Sequence, residues 1–295
     1  MINTTLVNKR NAARKAMDDL QTIGELIEYS CLEYDNGAMF EFADDKVQRQ
    51  GEGEAIAKIS RIQFLIECKV AASYFAGLTD DDAVAIIAGN SYEWILAFAG
   101  ITGCGKTAVA IDQNSNVEDI AYMLDLADCR TVLCASNAMD RVQRAANLLQ
   151  DASGVQVHCL EELRGRVHLH SASSAACWNS SHDADKLAAI YFTSGTTGKQ
   201  KGVPLTHRNI VVSAVGNAKT FRSEGSEKAI ACLPFHHCYG LFNGVLSALA
   251  CGASIYINSR LIRLAGEIRD RQVTTAIVVP AMLEMIMKIS RADKD

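Results

Sequence analysis

Tyr191-Phe192-Thr193-Ser194-Gly195-Thr196-Thr197-Gly198-Lys199-Gln200-Lys201-Gly202-Val203 packs three glycines, four Ser/Thr hydroxyls and two lysines into one stretch. Glycine lets backbone N–H groups turn inward on an anion, hydroxyls donate further hydrogen bonds, and lysine supplies the opposite charge. The apolar run Leu187 to Thr193 leads into it and reads as a strand, which would present the turn at a sheet edge. That chemistry is the cradling of a polyphosphate. The plain alternative is a solvated Gly/Thr turn, which the order and context of the residues disfavour.

A second candidate, Gly100-Ile101-Thr102-Gly103-Cys104-Gly105-Lys106-Thr107, satisfies the pattern G-x-x-x-x-G-K-[ST] letter for letter. That pattern needs a strand entering and a helix leaving, so that the helix N-terminus faces the phosphates. Here Tyr92 to Ile101 reads as the helix and Thr107 to Ile111 as the strand. The order predicts a coincidental helix-to-strand turn. An NTPase using Lys106 and Thr107 is kept as a distant alternative.

Leu233-Pro234-Phe235-His236-His237-Cys238-Tyr239-Gly240-Leu241 places two histidines where a strand gives way to a helix, a position from which a side chain can face a ligand at the carboxyl edge of a sheet. His158, Cys159, His168, His170, Cys177 and His182 raise a zinc question, but their spacing matches no familiar zinc pattern. They read as loop histidines and core thiols.

Thr193 to Val203, followed by Pro204-Leu205-Thr206-His207-Arg208-Asn209, resembles the phosphate-loop signature of the adenylate-forming superfamily, which includes acyl- and aryl-CoA ligases, beetle luciferases and nonribosomal peptide synthetase adenylation domains. Gln200 stands where that family usually has proline. The resemblance implies that Thr193, Ser194, Gly195, Thr196, Thr197, Gly198 and Lys201 wrap the β- and γ-phosphates of ATP. Leu233 to Leu241 resembles the family's Leu-Pro-x-Phe-His-x-x-Gly-Leu segment, which makes His237 the catalytic-site histidine beside the carboxylate pocket and puts His236 in place of phenylalanine. Asp82 to Asp112 and Thr22-Ile23-Gly24-Glu25-Leu26 are similar to earlier parts of the family fold.

The implied reaction is attack of a carboxylate on the α-phosphorus of ATP with Mg2+, then acyl transfer to the thiol of CoA or of a carrier protein's phosphopantetheine. Nothing in these residues chooses between the acceptors or names the acid. Family elements expected further on are a Gly-rich adenine loop, a metal-holding glutamate, a ribose-binding aspartate, a β-barrel and a C-terminal domain with a catalytic lysine. None occurs through Asp295, and Val278 to Leu283 resembles the segment just before the first. These residues alone are therefore expected to adenylate little, and a catalytically silent nucleotide- or acyl-binding protein is the other reading.

The elements that must position these groups follow from the hydropathy pattern. Strands are predicted at 83–88, 107–112, 130–135, 155–160, 187–193, 229–233, 254–257 and 274–279, with amphipathic helices between most of them. Capping-box spacing predicts helix starts near Asn90 with Glu93, and near Ser115 with Glu118. A helix is expected over 62–75, a loop or irregular hairpin over 44–58, and an exposed connection over 164–185. The resemblance implies an α/β fold of αβαβα type with largely parallel sheets. Residues 82–206 would form the first layer, and 19–75 plus 207–295 a second, incomplete one, without barrel or C-terminal domain.

The net charge of -5 argues against a nucleic-acid or anionic-membrane binder. Ten cysteines without a CxxC pair read as buried thiols of a reducing compartment, and the first ten residues lack the apolar core of a secretory signal. A cytoplasmic protein is expected. Residues 229–259 carry no formal charge, yet Pro234, His236, His237 and three glycines interrupt them, so they read as strand, loop, helix and strand rather than a membrane span. Exposed apolar area near Val278, Leu283 and Ile286 is expected to favour self-association.

Overall fold

The computed structural model describes residues 16–35, 37–43, 55–149, 154–169, 177–180, 183–194, 199–220 and 227–292. Among the described residues, eleven strands form two sheets: β1 (Ala38–Ala43), β2 (Ile56–Ser60), β3 (Ala83–Ile87), β4 (Thr107–Ile111), β5 (Thr131–Cys134), β6 (Gln156–Cys159), β7 (Leu187–Ser194), β8 (Gln200–Thr206), β9 (Lys228–Ala231), β10 (Ser254–Ile257) and β11 (Thr275–Ala276). The six-stranded sheet runs β6-β5-β3-β4-β7-β8 and the five-stranded one β11-β9-β10-β1-β2. All neighbours are parallel except β1 with β2 and β7 with β8. Every residue of β3, β4 and β5 is buried, as expected of parallel strands covered on both faces.

The longer helices are α1 (Ile23–Glu33), α2 (Arg61–Leu78), α3 (Tyr92–Gly103), α4 (Val117–Leu126), α5 (Met139–Ala146), α6 (Leu163–Leu169) and α7 (His207–Ala218). Tyr239–Leu246 is a π-helix that continues into α8 (Ser247–Ala250), followed by α9 (Leu264–Asp270) and α10 (Pro280–Ala292). Helices α2 and α3 pack on each other, α2 also touching β1 and β2 and α3 touching β3 and β4, so this pair fills the space between the sheets. Apart from Glu93, α3 is buried all round, which is the pattern of a core helix. On the far side of the five-stranded sheet, Ile230, Cys232 and Tyr256 form a smaller core with Leu264 of α9 and Met282 of α10.

Several expectations are adjusted. The helix caps are Ser91, accepting from the Trp94 amide, and Asn116, accepting from the Asp119 amide, each one residue beyond the predicted start. β1 and β8 are additional strands, and β2 with β1 turns part of 44–58 into a true antiparallel ladder. β11 is two residues long instead of six. Six cysteines are buried, but Cys177 and Cys238 are exposed, so the ten thiols are not uniformly core residues. Leu283 is 50% exposed, whereas Val278 and Ile286 pack against the smaller core. No helix among the described residues is long and apolar enough to cross a membrane.

A buried cation joins α2 to the turn after α8. The Arg61 guanidinium bonds the Ser30 carbonyl at 3.0 Å, the Ala253 carbonyl at 3.3 Å and the Gly252 carbonyl, and lies over the Tyr34 ring. Arg61→Met would keep the aliphatic stem but strand these carbonyls at about 1–3 kcal/mol for each one left unsatisfied. Urea denaturation should show a loss of at least about 3 kcal/mol on that basis.

Candidate functional site

The phosphate-loop stretch is a hairpin connection. β7 ends at Ser194 and β8 starts at Gln200, with Gly195, Thr196, Thr197 and Gly198 outside the described residues. Thr193 is in register with Lys201. Directly opposed residues of an antiparallel pair share a face, so hydroxyl and lysine project from the same side of the hairpin. Both residues are exposed, and Lys201 has no ion pair among the described residues. The other lysine of the stretch is engaged elsewhere: the Lys199 ammonium lies 5.3 Å from the Tyr122 ring centroid. A cavity of about 500 Å³ opens beside Lys201, walled by Tyr122, Leu126, Phe192 and Pro204.

The glycines and the lysine of the competing motif have structural explanations. Gly100 lets α3 approach α2, because a Cβ there would sit 2.7 Å from the Ala71 Cβ. A Cβ on Gly103 would meet the Trp178 ring at 2.4 Å, and Gly105 turns the chain with φ +84°. Lys106 donates to the Asp81 carbonyl at 2.6 Å. The order is helix, turn, strand, and Lys106 lies at the amino end of β4, whereas the hairpin tip lies at the carboxyl end of the neighbouring β7. This geometry does not support an NTPase reading through Lys106 and Thr107.

His236 and His237 lie on the corner that follows β9. Their rings are 4.4 Å apart between centroids. The His236 side chain is 11% exposed, with its Nε2 3.7 Å from Asp112 Oδ2, while His237 is exposed. Burial holds the His236 imidazole below the ordinary histidine range; the Asp112 carboxylate opposes that shift and His237 adds to it.

Side chains from the carboxyl ends of three neighbouring strands of the other sheet reach this corner. Asn90, after β3, donates from Nδ2 to the Leu233 carbonyl at 2.9 Å and accepts the Phe235 amide on Oδ1 at 3.0 Å. Asp112, after β4, faces His236. Tyr191 of β7 donates its hydroxyl to the Phe235 carbonyl at 3.3 Å. Tyr191 precedes Thr193 by two residues and Phe235 precedes His237 by two, so the corner is fastened to the strand that leads into the hairpin. Sequence reading misses Asn90 and Asp112 as site residues. Their signal is only a polar residue shortly after a buried strand.

A second cavity, of about 540 Å³, lies beside Tyr239 along β11 and is walled by Asn217, Thr220, Thr275, Ile277 and Val278. Among the described residues, no group of three or more His, Cys, Asp and Glu side chains could hold a metal ion. His158, Cys159, His168 and Cys177 belong to no such group; His170 and His182 fall outside the described residues.

Comparison with known proteins gives a consistent picture. A family model described as "AMP-binding enzyme" matches residues 45–295. 4-Coumarate–CoA ligase 1 of Arabidopsis thaliana is 27% identical over 78% of this chain and 44% of its own length. Luciferin 4-monooxygenase of Photuris pensylvanica is 24% identical over 78% of this chain and 45% of its own. The chain thus spans less than half the length of these curated relatives. The inhibitor-bound N-terminal domain of FACL13 from Mycobacterium tuberculosis superposes with a TM-score of 0.77 at 20% identity, covering 90% of this chain and 65% of that one, a likeness of fold.

Gly240 is the tightest point of the site. A Cβ there would lie 2.2 Å from the Pro234 carbonyl oxygen, a backbone atom that cannot swing aside. Gly240→Ala should destabilise the chain by about 1–3 kcal/mol or more, read as a lower denaturation midpoint.

Proposed function

This chain belongs to the AMP-binding enzyme family, and on that premise we propose that it binds ATP through the β7–β8 hairpin and activates a carboxylic acid as the acyl-adenylate. The observation that carries the reading is the hairpin itself. Thr193 and Lys201 share one exposed face, Lys201 is without an ion pair among the described residues, and the neighbouring lysine is drawn away to Tyr122. An exposed ammonium beside a hydroxyl and a Gly/Thr-rich turn fits the β- and γ-phosphates, with Ser194, Gly195, Thr196, Thr197 and Gly198 completing the cradle.

The physical demand of adenylation is charge. A carboxylate must approach the α-phosphorus of a polyanion, and Lys201 with the loop donors offsets the repulsion and stabilises the departing pyrophosphate. His237, exposed on the corner fastened to β7, is placed beside the acid carboxylate. We assign the body of the acid to the cavity at Tyr239, whose polar wall of Asn217, Thr220, Glu227 and Thr275 suits an acid with hydrogen-bond donors of its own. Mg2+ finds no cage among the described residues, so we assign no step to it.

The acceptor in this reading is the thiol of CoA or of a carrier-protein phosphopantetheine, and no residue is assigned to either. A cytoplasmic location and self-association through exposed Leu283 and Met287 of α10 belong to the same reading. Adenylation by this chain alone is expected to be weak. Binding of ATP with no acid-dependent exchange would favour the silent nucleotide-binding alternative. Carboxylate-dependent pyrophosphate exchange over a panel of acids measures that difference.

The two lysine motifs make opposite predictions. Loss of a phosphate-contacting lysine should cost about 1.5–3 kcal/mol, or more than about tenfold in ATP affinity. Lys201→Ala is expected to show that loss in ATP titration. Lys106→Ala, which removes only the bond to the Asp81 carbonyl, should leave the affinity nearly unchanged. The reverse outcome would overturn the assignment.

A further inference from the structure

The regular ladder on β9 ends at Ala231, whose register partner is Ile257 and whose carbonyl accepts the Asn258 amide. Pro234, three residues on, has no N–H to offer, so the chain after β9 leaves its own sheet without strand pairing. The backbone of 233–235 is instead met by the other sheet. Asn90 bonds the Leu233 carbonyl and the Phe235 amide, the acceptor and donor on either side of the proline. A carboxamide carries one donor and one acceptor side by side without charge, so it imitates the edge of a neighbouring strand.

Asn90 itself stands at the start of α3, where the following Ser91 caps the helix through the Trp94 amide. From Phe235 the constraint passes to the histidines with little slack. The His237 amide bonds the Pro234 carbonyl at 3.1 Å, and the His237 carbonyl accepts from Gly240 and Leu241. A shift of 233–235 must therefore carry His237 with it.

We infer that Asn90 is a positioning residue for His237: by bonding Leu233 and Phe235 together, its carboxamide fixes where that imidazole stands relative to Thr193 and Lys201. The inference rests on the assignment of His237 to the acid site, and it adds to that reading the group that sets the histidine's place. Asn90 bonds the corner directly and meets the β7–β8 hairpin only at one remove, through Phe235 and the Tyr191 hydroxyl.

NMR of the histidine ring signals in this chain, combined with ATP titration, tests it. Asn90→Ala should shift the His236 and His237 signals and move the His236 titration up towards an ordinary histidine, as the corner leaves its buried seat. ATP affinity should change by less than the roughly tenfold loss expected of Lys201→Ala, because the corner reaches β7 only through the Tyr191 hydroxyl on the Phe235 carbonyl. Asn90→Asp keeps the acceptor for the Phe235 amide but faces the Leu233 carbonyl with a second acceptor, and an intermediate shift is expected. It also serves if the alanine variant does not fold. Unchanged ring signals in a folded variant, or loss of ATP affinity in step with the ring shifts, would overturn the inference. If the unaltered chain binds no ATP, the functional reading fails, while the ring signals still decide whether Asn90 positions His237.

Discussion

The turn after β9 is held by both sheets, yet the backbone of a sheet can hydrogen-bond only along its own edges. The structure meets that constraint at the turn after β9, which belongs to one sheet by sequence and to the other by its bonds. Asn90, Asp112 and Tyr191 follow or lie on adjacent strands β3, β4 and β7, and all three are directed at residues 233–236. The helical pair α2 and α3 sets the spacing of the layers, and Gly100 sets the spacing of the pair. Were that spacing larger, a short carboxamide could not span the gap.

Charge is distributed with the same economy. Arg61 is buried among carbonyl groups with its charge facing the ends of helices, where backbone dipoles are negative, so it acts as a structural cation. Glu41 is matched by Lys228 at 2.7 Å and Lys58 at 3.4 Å, again away from the hairpin. Of the two lysines between 193 and 203, Lys199 lies over Tyr122, whereas Lys201 is exposed and without an ion pair among the described residues. Burial biases His236 towards its neutral form, against the pull of the Asp112 carboxylate.

Much of this is legible in the residues. Alternating apolar runs locate seven of the eight anticipated strands closely, because β3, β4 and β5 are buried on both faces and hydrophobicity alone marks them. The eighth, β11, is apolar through Val279 but pairs over two residues only. β8 is hidden because an edge strand carrying Lys201, Gly202 and Pro204 has no apolar run to display. β1 escapes because Glu41 interrupts Ala38–Ala43, and its acceptability depends on lysines that are distant in sequence. The letters of Gly100 to Thr107 suggest a phosphate site, and only the order of elements argues otherwise. Asn90 reads as a helix start; its two bonds lead to residues that no local pattern connects with it.

The π-helix of Tyr239–Leu246 closes a bond between residues five apart where an α-helix uses four, so the segment holds one more residue per hydrogen-bonded turn than its continuation α8. Gly240, at its start, sits against the Pro234 carbonyl without room for a methyl group. The wider turns absorb one residue more than an α-helix of the same span, so the helix beyond keeps its phase. Removing one residue would therefore let the segment relax to an α-helix without turning α8 away from what it covers. Related chains should accept that one change of length here more readily than a side chain at Gly240.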